Sequence, residues 1–235
     1  LRHYHSLYSP SVSSLLKKEI AHLRPDVVHA HNVHHYLTYD ALRIARQTGA
    51  TVFITMHDVF GFAFHRLNTK RFLHSSGEEA SLTPLDHIRA AGLQYNPFRN
   101  VWIRKIFRKN VTKIIAVSSA LEHALHQNHI TNTTVIHNGI DVASWTPNES
   151  AVHTFKETHH LYNRKIVLFG GLLSTDKGTT PLLHTILKLR KSVPNILLLV
   201  VGDQKRWNNC IQSAGVQENL NDSVRCIGWL NANDT

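Results

Sequence analysis

Cysteines and long apolar runs are scarce in this sequence of 235 residues. No run of eighteen or more apolar residues occurs, so the sequence predicts no transmembrane helix, and no charged and then apolar opening predicts a secretory signal. The two cysteines, Cys210 and Cys226, lie in a helix-like and a strand-like stretch. They argue against a disulfide framework and for a reducing compartment, so a cytoplasmic location is expected.

Acidic residues are also few. Sixteen Asp and Glu stand against 26 Lys and Arg, which gives a net charge of +10 with neutral histidines. Such a balance favours anionic partners, meaning nucleotide phosphates, acidic lipid headgroups or nucleic acid. Nucleic acid is not expected, because we find neither interleaved exposed aromatic residues nor a groove-reading motif in the basic segments.

Short β-branched runs alternate along the chain with longer amphipathic runs. This alternation is typical of βα units that build a parallel sheet. Strands are predicted at residues 26–31, 51–57, 113–118, 133–137, 165–170, 196–202 and 224–228. Helices are predicted between them, at residues 36–48, 100–110, 119–128, 180–193 and 205–214.

Two irregular stretches interrupt this rhythm. Residues 141–164 are polar, contain Pro147 and show no sustained period. They are interpreted as the passage between an N-terminal domain over residues 1–148 and a C-terminal domain over residues 149–235. Residues 58–97 are too long for an ordinary connection, and loops of that length are usually functional lids or binding loops unless they contain a short helix.

The pair His57-Asp58 follows a predicted buried strand and opens the second irregular stretch. Open α/β sheets bind ligands beyond the carboxyl ends of their strands, where helix N-termini and loop amides converge. A histidine at that place can donate to a sugar hydroxyl or a phosphate, and the adjacent carboxylate can fix its orientation or tautomer. The alternative is a strand-end histidine that only satisfies a loop carbonyl.

Glycines and one lysine follow the predicted strand at residues 165–170. Gly170-Gly171 lies at the bend, and Lys177-Gly178 precedes a predicted helix. Glycines let a backbone approach a phosphate, and a helix N-terminus adds amide donors and a positive dipole end. A plain turn is the alternative. The spacing matches neither the Walker pattern nor Gly-x-Gly-x-x-Gly, which disfavours an ordinary mononucleotide or dinucleotide site.

Another glycine motif, Asn138-Gly139, follows the predicted strand at residues 133–137. Both residues tolerate positive φ, so the motif predicts a sharp chain reversal. That role explains the motif locally, without a ligand.

A cluster of histidines ends the first predicted strand, at His29, His31, His34 and His35. The spacing is similar to the His-x-His-x-Asp-His metal motif of metallo-β-lactamase-like hydrolases, but Val33 stands in the place of the Asp. A zinc site needs three or four ligands, often with a carboxylate or thiol among them. Because the chain has 19 histidines, such clusters arise easily, and ordinary polar histidines without a metal are the preferred interpretation.

A basic segment runs from residue 99 to residue 113 with six basic residues and no acid. On a helix, its aromatic and aliphatic residues form one stripe and most of its cations the opposite face. Such a helix can lie on anionic lipid, which would place the protein at the inner face of a membrane. The preferred interpretation is a domain helix whose stripe packs inward and whose charges are solvated.

The order of six motifs along the chain resembles that of one large family. The motifs are residues 24–31, 55–58, 116–119, 135–141, 171–178 and 201–203. Together they are similar to the retaining glycosyltransferases of group 1, which have the GT-B fold and include sucrose synthases and bacterial lipopolysaccharide mannosyl- and glucosyltransferases. The similarity covers nearly the whole chain, and six motifs in order are far more specific than any one of them.

The resemblance implies two Rossmann-like α/β domains with parallel sheets, both incomplete in this chain. It implies transfer of a hexose from a nucleoside-diphosphate sugar to a glycan, polysaccharide or lipid-linked acceptor, with retention at the anomeric carbon and no obligatory metal or other cofactor. By the same resemblance His57 lines the donor sugar pocket and Lys177 neutralises the departing pyrophosphate from the opposite wall of an interdomain cleft. Its implied site residues are His57, Asp58 and Lys177 as catalytic residues and Gly170, Gly171, Lys177, Gly178, Asn138 and Gly139 as donor-binding residues.

Three departures from the family pattern matter. Leu172 stands where the family usually has an Arg, so half of the usual cationic clamp is expected to be absent or supplied from elsewhere. The opening strand with its glycine-rich loop and the Glu-x7-Glu segment are expected outside residues 1–235, so this chain alone is expected to be inactive. Two alternatives stay open, a metal-dependent hydrolase built on His29, His31 and His34 and a non-catalytic sugar-nucleotide-binding relic.

Overall fold

The computed structural model of the protein describes residues 5–146, 148–216 and 220–230. The chain separates into two compact units, Leu1–Ile140 and Asp141–Thr235. The domain boundary predicted from the sequence, after residue 148, falls inside the second of these units and stays a prediction. Each unit contains one parallel sheet with helices packed on it.

The sheet of the first unit has four parallel strands in the order β1-β2-β3-β4. They are β1 (Val27–His31), β2 (Thr51–Met56), β3 (Lys113–Ala116) and β4 (Thr133–Val135). Because all four run in the same direction, their carboxyl ends meet at one edge of the sheet. His31 lies opposite Thr55 in the register, so the last residue of β1 is level with the end of β2.

The first unit also contains six α-helices within its described residues: α1 (Pro10–Leu23), α2 (Asp40–Gln47), α3 (Lys70–His74), α4 (Pro84–Ala91), α5 (Arg99–Asn110) and α6 (Ser119–Gln127). Helix α2 packs on β2 and α5, and α6 packs on β3 and β4. Alternate residues of β2, namely Val52, Ile54 and Met56, are buried in the core of this unit. One face of β2 therefore packs inward, as its alternating apolar residues require.

The second unit has a sheet of three parallel strands, β5 (Lys165–Gly170), β6 (Ile196–Val201) and β7 (Val224–Cys226), in that order. Its described helices are α7 (Glu149–Thr158), α8 (Thr179–Leu189) and α9 (Gln204–Ala214). Strand β6 is buried over its first five residues. The continuous apolar run that predicted a strand covered on both faces is confirmed at this position.

All seven predicted strands are present, and the parallel α/β fold class is confirmed. The helix predicted at residues 36–48 begins later, at Asp40, because Thr38 has a positive φ of 67° that no helix accommodates. Helix α1 was not predicted, although Pro10 at its first turn is a known start signal.

The irregular stretches contain helices that the sequence analysis did not predict. Residues 141–164 hold α7, whose start is capped by the Asn148 side chain accepting from the backbone N–H of Ser150 at 3.0 Å. Residues 58–97 hold α3, α4 and a 3-10 turn at Gly92–Gln94. The structure describes no buried residue in these three helices.

The basic segment at residues 99–113 is mostly a domain helix. Ile103, Ile106 and Phe107 of α5 are buried, which confirms the inward-packing interpretation for these three residues. Trp102 is an exception, because 47% of it is exposed. Along the described part of the chain, no helix combines the length and the apolarity that crossing a bilayer demands.

Candidate functional site

His57 follows the last residue of β2, at the carboxyl edge of the first sheet. Its Nε2 lies 3.0 Å from Nδ1 of His31, the last residue of β1. The rings of His29, His31 and His57 form a row, with centroids 4.4 Å apart for the first pair and 5.3 Å apart for the second. The parallel register places these rings together, since His29 and His31 project from the same face of β1.

The hydrogen bond between His31 and His57 requires one ring nitrogen to donate and the other to accept. Two protonated rings would present two donors to each other and two positive charges at contact distance. Burial lowers the pKa of the His31 imidazole, and the neighbouring His29 and His57 lower it further. The lowered pKa favours a neutral His31 ring, which can either donate to His57 or accept from it.

Asp58 does not orient His57, contrary to the hypothesis from the sequence. Its Oδ1 accepts a hydrogen bond from the backbone N–H of Phe60 at 3.0 Å, and its Oδ2 lies 3.7 Å from Nε2 of His34. The reason is the local chain path, because a carboxylate that accepts from the amide two residues ahead closes an Asx turn. Asp58 shapes the turn after β2, and His31 takes the orienting position.

Arg99, the first residue of α5, holds the turn after β2 in place. Its guanidinium is buried and donates to the carbonyl of Phe60 at 2.5 Å and to that of Ala63 at 3.3 Å. Its Cζ lies 4.9 Å from the ring centre of Phe64. Burial lowers the pKa of Arg99, while Tyr39 and Asp58 oppose this effect. The buried cation thus fixes the backbone that carries Asp58.

Asn100 completes this support. Its Oδ1 accepts from Nη1 of Arg99 at 2.8 Å, and its Nδ2 donates to the carbonyl of Phe62 at 2.6 Å. The sequence analysis missed both residues, since it treated Arg99 only as one of six basic residues in the segment and gave Asn100 no role. Helical spacing was the available signal, because Arg99 lies four and seven residues before the buried Ile103 and Ile106 and so shares their face.

The histidines at the end of β1 do not form a metal site in the described residues. His29 Nε2 lies 2.8 Å from Oγ1 of Thr55, His31 pairs with His57, and the nearly buried His34 faces Asp58. Within residues 5–146, 148–216 and 220–230, no group of three or more His, Cys, Asp or Glu side chains is arranged to hold a metal ion. The hydrolase alternative thus lacks the converging ligands it needs.

Asn138-Gly139 does not form the sharp reversal that the sequence predicted. Neither residue has a positive φ, and residues 136–140 run on from β4 without a turn. Both residues are exposed. A motif that tolerates positive φ does not require it.

The turn after β5 is built from glycines and a short 3-10 turn. Gly171 has a φ of 132°, and Thr175–Lys177 forms the 3-10 turn that ends at Gly178, where φ is 78° and ψ is 18°. Gly202, at the end of β6, allows this turn to approach, because a Cβ there would lie 3.0 Å from Cδ1 of Leu173. Glycine is needed at these positions for backbone reasons that the sequence indicated.

Gly178 is also the residue that caps the start of α8. It has no side chain to accept from the first amides of the helix, and the Thr179 hydroxyl donates instead to the carbonyl of Ser174 at 3.0 Å. Pro181 has no N–H, and the N–H of Leu182 donates to the carbonyl of Gly178 at 3.1 Å, so the amides of Thr179 and Thr180 are left for another acceptor. Lys177, which is exposed, precedes them directly. Amide donors, a helix dipole and an ammonium group at one turn can bind an anion.

Comparison with known proteins identifies related sequences. The sequence profile of Glycosyltransferase Family 4 matches residues 1–144. YtcC of Bacillus subtilis (strain 168), whose name describes it as a glycosyltransferase, is 32% identical over 75 residues, which is 30% of this chain and 18% of that protein. The chain thus matches a small part of this relative.

Solved structures show the fold. The crystal structure of Anabaena Alr3699/HepE in complex with UDP is similar with a TM-score of 0.58 and 18% identity, over 94% of this chain and 52% of that chain. An α,α-trehalose-phosphate synthase (UDP-forming) from Burkholderia vietnamiensis gives a TM-score of 0.60 and 12% identity, over 99% of this chain and 55% of that chain. The chain spans about half the length of these structures.

These similarities confirm the α/β fold of GT-B type that the motifs implied. They also confirm the resemblance, since the matched profile covers more than half of the sequence. The chain belongs to Glycosyltransferase Family 4.

Proposed function

We propose that the protein is a retaining hexosyltransferase that takes its sugar from a nucleoside-diphosphate donor. The observation that carries this proposal is the turn after β5, where Lys177 and the uncapped amides of α8 stand together. A diphosphate is the anion that such a turn suits, because it brings several oxygens and more than one charge.

In this proposal the turn acts on the leaving group. The diphosphate gains negative charge as the bond to the sugar breaks, so a fixed cation and fixed amides stabilise the transition state more than the bound donor. Lys177 supplies the cation, and Gly170, Gly171 and Gly178 allow the backbone to come close. Leu172 adds no charge, so the amides and Lys177 carry the stabilisation within this turn.

The end of β2 is assigned to the donor sugar. His57 contacts His31 through its Nε2, so the other ring nitrogen is left to meet a hydroxyl of the donor sugar. We assign Asp58 the role of shaping the turn and Asn138-Gly139 a backbone contact with the donor. Replacing His57 by Ala is expected to weaken binding of UDP-glucose and to leave binding of UDP unchanged; equal losses for both ligands would contradict the assignment to the sugar.

Structural neighbours make UDP the first nucleotide to test. HepE was crystallised with UDP and with UDP-glucose, and the trehalose-phosphate synthase is named as UDP-forming. The sugar, the base and the glycan, polysaccharide or lipid-linked acceptor are otherwise open in this proposal. No metal or other cofactor is part of it.

Calorimetry with UDP tests the donor site. We expect Lys177→Gln to weaken UDP binding about tenfold, which is the effect of losing one charged hydrogen bond at a partly solvated site. Lys188→Gln is the matched control, because Lys188 is an exposed lysine in the last turn of α8, the helix that Lys177 precedes. Equal affinity of the wild type and Lys177→Gln would overturn the role of Lys177.

The non-catalytic alternative rests on Leu172, which is 42% exposed where the family pattern has a cation. It predicts that UDP binds while no hexose is transferred to water or to any acceptor. Leu172→Arg separates the two proposals, because an added cation should raise donor hydrolysis in an enzyme and only UDP affinity in a relic.

We also propose a peripheral contact with the inner face of a membrane through residues 99–113. Phe98, Val101 and Trp102 are exposed, and the exposed Lys105 lies with its Nζ 5.6 Å from the centre of the Trp102 indole. Exposed aromatic residues beside cations suit an anionic lipid surface. The wild-type protein should float with anionic liposomes, and the Trp102→Ala variant should not. A wild-type protein that does not float with the liposomes would contradict this contact.

A further inference from the structure

An open cavity of about 540 Å³ lies in the first unit, between α5 and the connection from α6 to β4. Ile114, near the start of β3, and Asn132, which precedes β4, line it. His57 follows the carboxyl end of β2 in the same parallel sheet. The cavity therefore lies at the opposite edge of the sheet from His57, apart from the residues proposed to bind the donor sugar.

One wall of the cavity is formed by four residues of α5 with helical spacing, Val101, Arg104, Lys105 and Arg108. Residues three and four positions apart share one side of a helix. Three of the four carry a positive charge, and Lys105 and Arg108 are exposed. The buried part of the lining is apolar and consists of Phe107, Ile114 and Ile130. The wall thus presents three cations beside an apolar base.

The opposite wall is the connection before β4, and hydrogen bonds fix it in place. Nδ2 of Asn128 donates to the carbonyl of Ala80 at 2.9 Å, and Nδ2 of Asn132 donates to the carbonyl of Thr112 at 2.9 Å. This wall is therefore held before any ligand binds, which lowers the cost of ordering it. Its exposed lining residues with hydrogen-bonding groups are His129, Thr131 and Asn132.

The three cations of the α5 wall are not neutralised by carboxylates. The described residues that line the cavity include no Asp or Glu. In the described parts of the chain, Arg104, Lys105 and Arg108 form no ion pair. No Asp or Glu occurs in residues 87–121, which include all of α5.

Acidic side chains on the neighbouring elements do not cancel this charge. Glu79 is paired with Arg71, whose Nη1 lies 3.1 Å from its Oε1. The described contact of Glu78 with α6 is through its carbonyl, which accepts from Nε2 of Gln127 at 3.0 Å. Glu122 of α6 accepts from a threonine hydroxyl at 2.8 Å, close to the wall before β4. Even with Glu122 counted against them, the three cations of the α5 wall leave a clear excess of positive charge.

This excess favours an anion, and the surroundings of the cavity indicate a lipid rather than a soluble anion. Arginine guanidinium groups match the oxygens of a phosphate with forked donors. Val101 lines the cavity and is exposed, and Phe98 and Trp102 beside it on the chain are 76% and 47% exposed. Apolar side chains exposed beside cations suit the boundary between headgroups and acyl chains. A lipid could thus place its phosphate in the cavity and its acyl chains beside these apolar residues.

We infer that this cavity binds the phosphate headgroup of an anionic lipid, held by Arg104, Lys105 and Arg108. The inference rests on the proposed membrane contact of residues 99–113, for which it names the partner and the residues that select it. General attraction to a negative surface acts on every cation of the segment alike. A headgroup site instead predicts that the cations of the α5 wall contribute more than Lys109, which is exposed and does not line the cavity. Because the cavity lies at the edge opposite His57, this lipid is an anchor and not the acceptor.

Sedimentation with vesicles of phosphatidylcholine and phosphatidic acid tests this inference. The double variant Arg104→Gln/Arg108→Gln removes two cations of the cavity, and Lys109→Gln/Lys113→Gln is the control, because it removes the same charge from the same segment outside the cavity. We expect the cavity variant to lose at least about tenfold more affinity than the control, since it also loses charged hydrogen bonds to the phosphate. Arg104→Lys/Arg108→Lys keeps the charge and removes the forked donors, so it should also bind more weakly than the wild type.

Equal losses of vesicle binding in the cavity variant and the control would overturn the headgroup site and leave the membrane contact in place. A wild-type protein that does not sediment with the vesicles would contradict the membrane contact itself. Calorimetry with dihexanoyl phosphatidic acid, which is soluble without a membrane, tests the cavity in either case. Absence of binding, or binding that survives Arg104→Gln/Arg108→Gln, would overturn the inference. Equal affinity for glycerol 3-phosphate would also overturn it, because the acyl chains would then contribute nothing.

UDP titrations of the same variants separate this site from the proposed donor site. UDP should bind to both double variants as it binds to the wild type, because the cavity and the turn after β5 belong to different units. Lipid binding without UDP binding defeats the donor site alone, and UDP binding without lipid binding defeats the headgroup site alone.

Discussion

The turns after β2 and after β5 both follow the carboxyl end of a strand in a parallel sheet, yet they are built differently. The first is fixed by side chains, with Arg99 and Asn100 holding its carbonyls and His31 holding His57. The second is fixed by backbone conformation, with positive φ at Gly171 and Gly178. The comparison shows that the carboxyl end of a parallel strand can present either an imidazole in contact with a second histidine or free amides beside a cation.

This difference follows from what each turn is proposed to bind. A sugar hydroxyl is neutral and is recognised by a donor or acceptor of fixed direction, which needs supporting side chains. A diphosphate is charged, and amides with a lysine recognise it without a precise side-chain network. Substitutions in the first turn should therefore act by removing side-chain hydrogen bonds, and substitutions in the second by changing backbone conformation or charge.

The largest effect is expected for Arg99→Met. Removing the guanidinium leaves the carbonyls of Phe60 and Ala63 and the Oδ1 of Asn100 without a buried donor, which should lower the free energy of unfolding of the first unit by about 3 kcal/mol. Urea unfolding followed by circular dichroism measures this change. Arg108→Met removes an exposed cation of the same helix and should change stability by less than about 0.5 kcal/mol; similar values for both variants would mean that Arg99 does not hold the turn.

A smaller effect is expected for Gly178→Ala. The φ of 78° costs a residue with a Cβ about 1 kcal/mol, which should appear as a loss of stability in the second unit. Gly170→Ala is the control, because a Cβ at Gly170 meets nothing within 4 Å and its φ is not positive. Thermal unfolding of both variants measures their stability. A loss of stability for Gly170→Ala as large as for Gly178→Ala would refute the backbone explanation.

The smallest effect concerns the pH dependence of the first unit. Because burial and two neighbouring imidazoles lower the pKa of His31 below its ordinary value of 6.5, the unfolded chain binds a proton there more readily than the folded chain. The stabilisation is complete above about pH 6.5 and is lost as the pH falls through the lower pKa of the folded state. His31→Gln should make stability less dependent on pH in this range, and His22→Gln, an exposed change on α1, should not.

Urea unfolding at a series of pH values measures this slope. The effect should be small because His31 is largely exposed to solvent. An unchanged slope in His31→Gln would show that the contact between His31 and His57 does not titrate with folding, and the contrast between the two turns would then rest on Arg99 alone.

Much of the fold could be predicted because its signals are local. The run of residues 196–201 identifies a buried strand without any knowledge of its neighbours, and the alternation of strands and helices identifies a parallel sheet. Helix α7 could not be found in this way, because none of its residues is described as buried and it starts from an Asn cap in a polar stretch. Helix α4 carried a readable start signal in Thr83, Pro84 and Asp86, which the sequence analysis did not use.

The candidate site was predictable in position and not in detail. His57 and Gly178 lie at strand or helix ends, as the sequence indicated. The predicted partner of His57 was wrong. The sequence suggested its neighbour Asp58, and the structure shows a contact with His31, which is 26 residues away. Reasoning from the sequence favours a neighbouring residue as the partner, whereas the pairing of strands brings together residues that are far apart in the chain.

The sequence alone determined the α/β class, the seven strands and the places where their carboxyl ends begin loops, because hydrophobic period and turn residues act over a few positions. Tertiary structure decided which side chains meet at those ends. Strand order and register brought His31 to His57, and the docking of α5 buried Arg99 beneath the turn after β2. These contacts depend on elements far apart in the chain, so their geometry exists only after the sheet and its helices have packed.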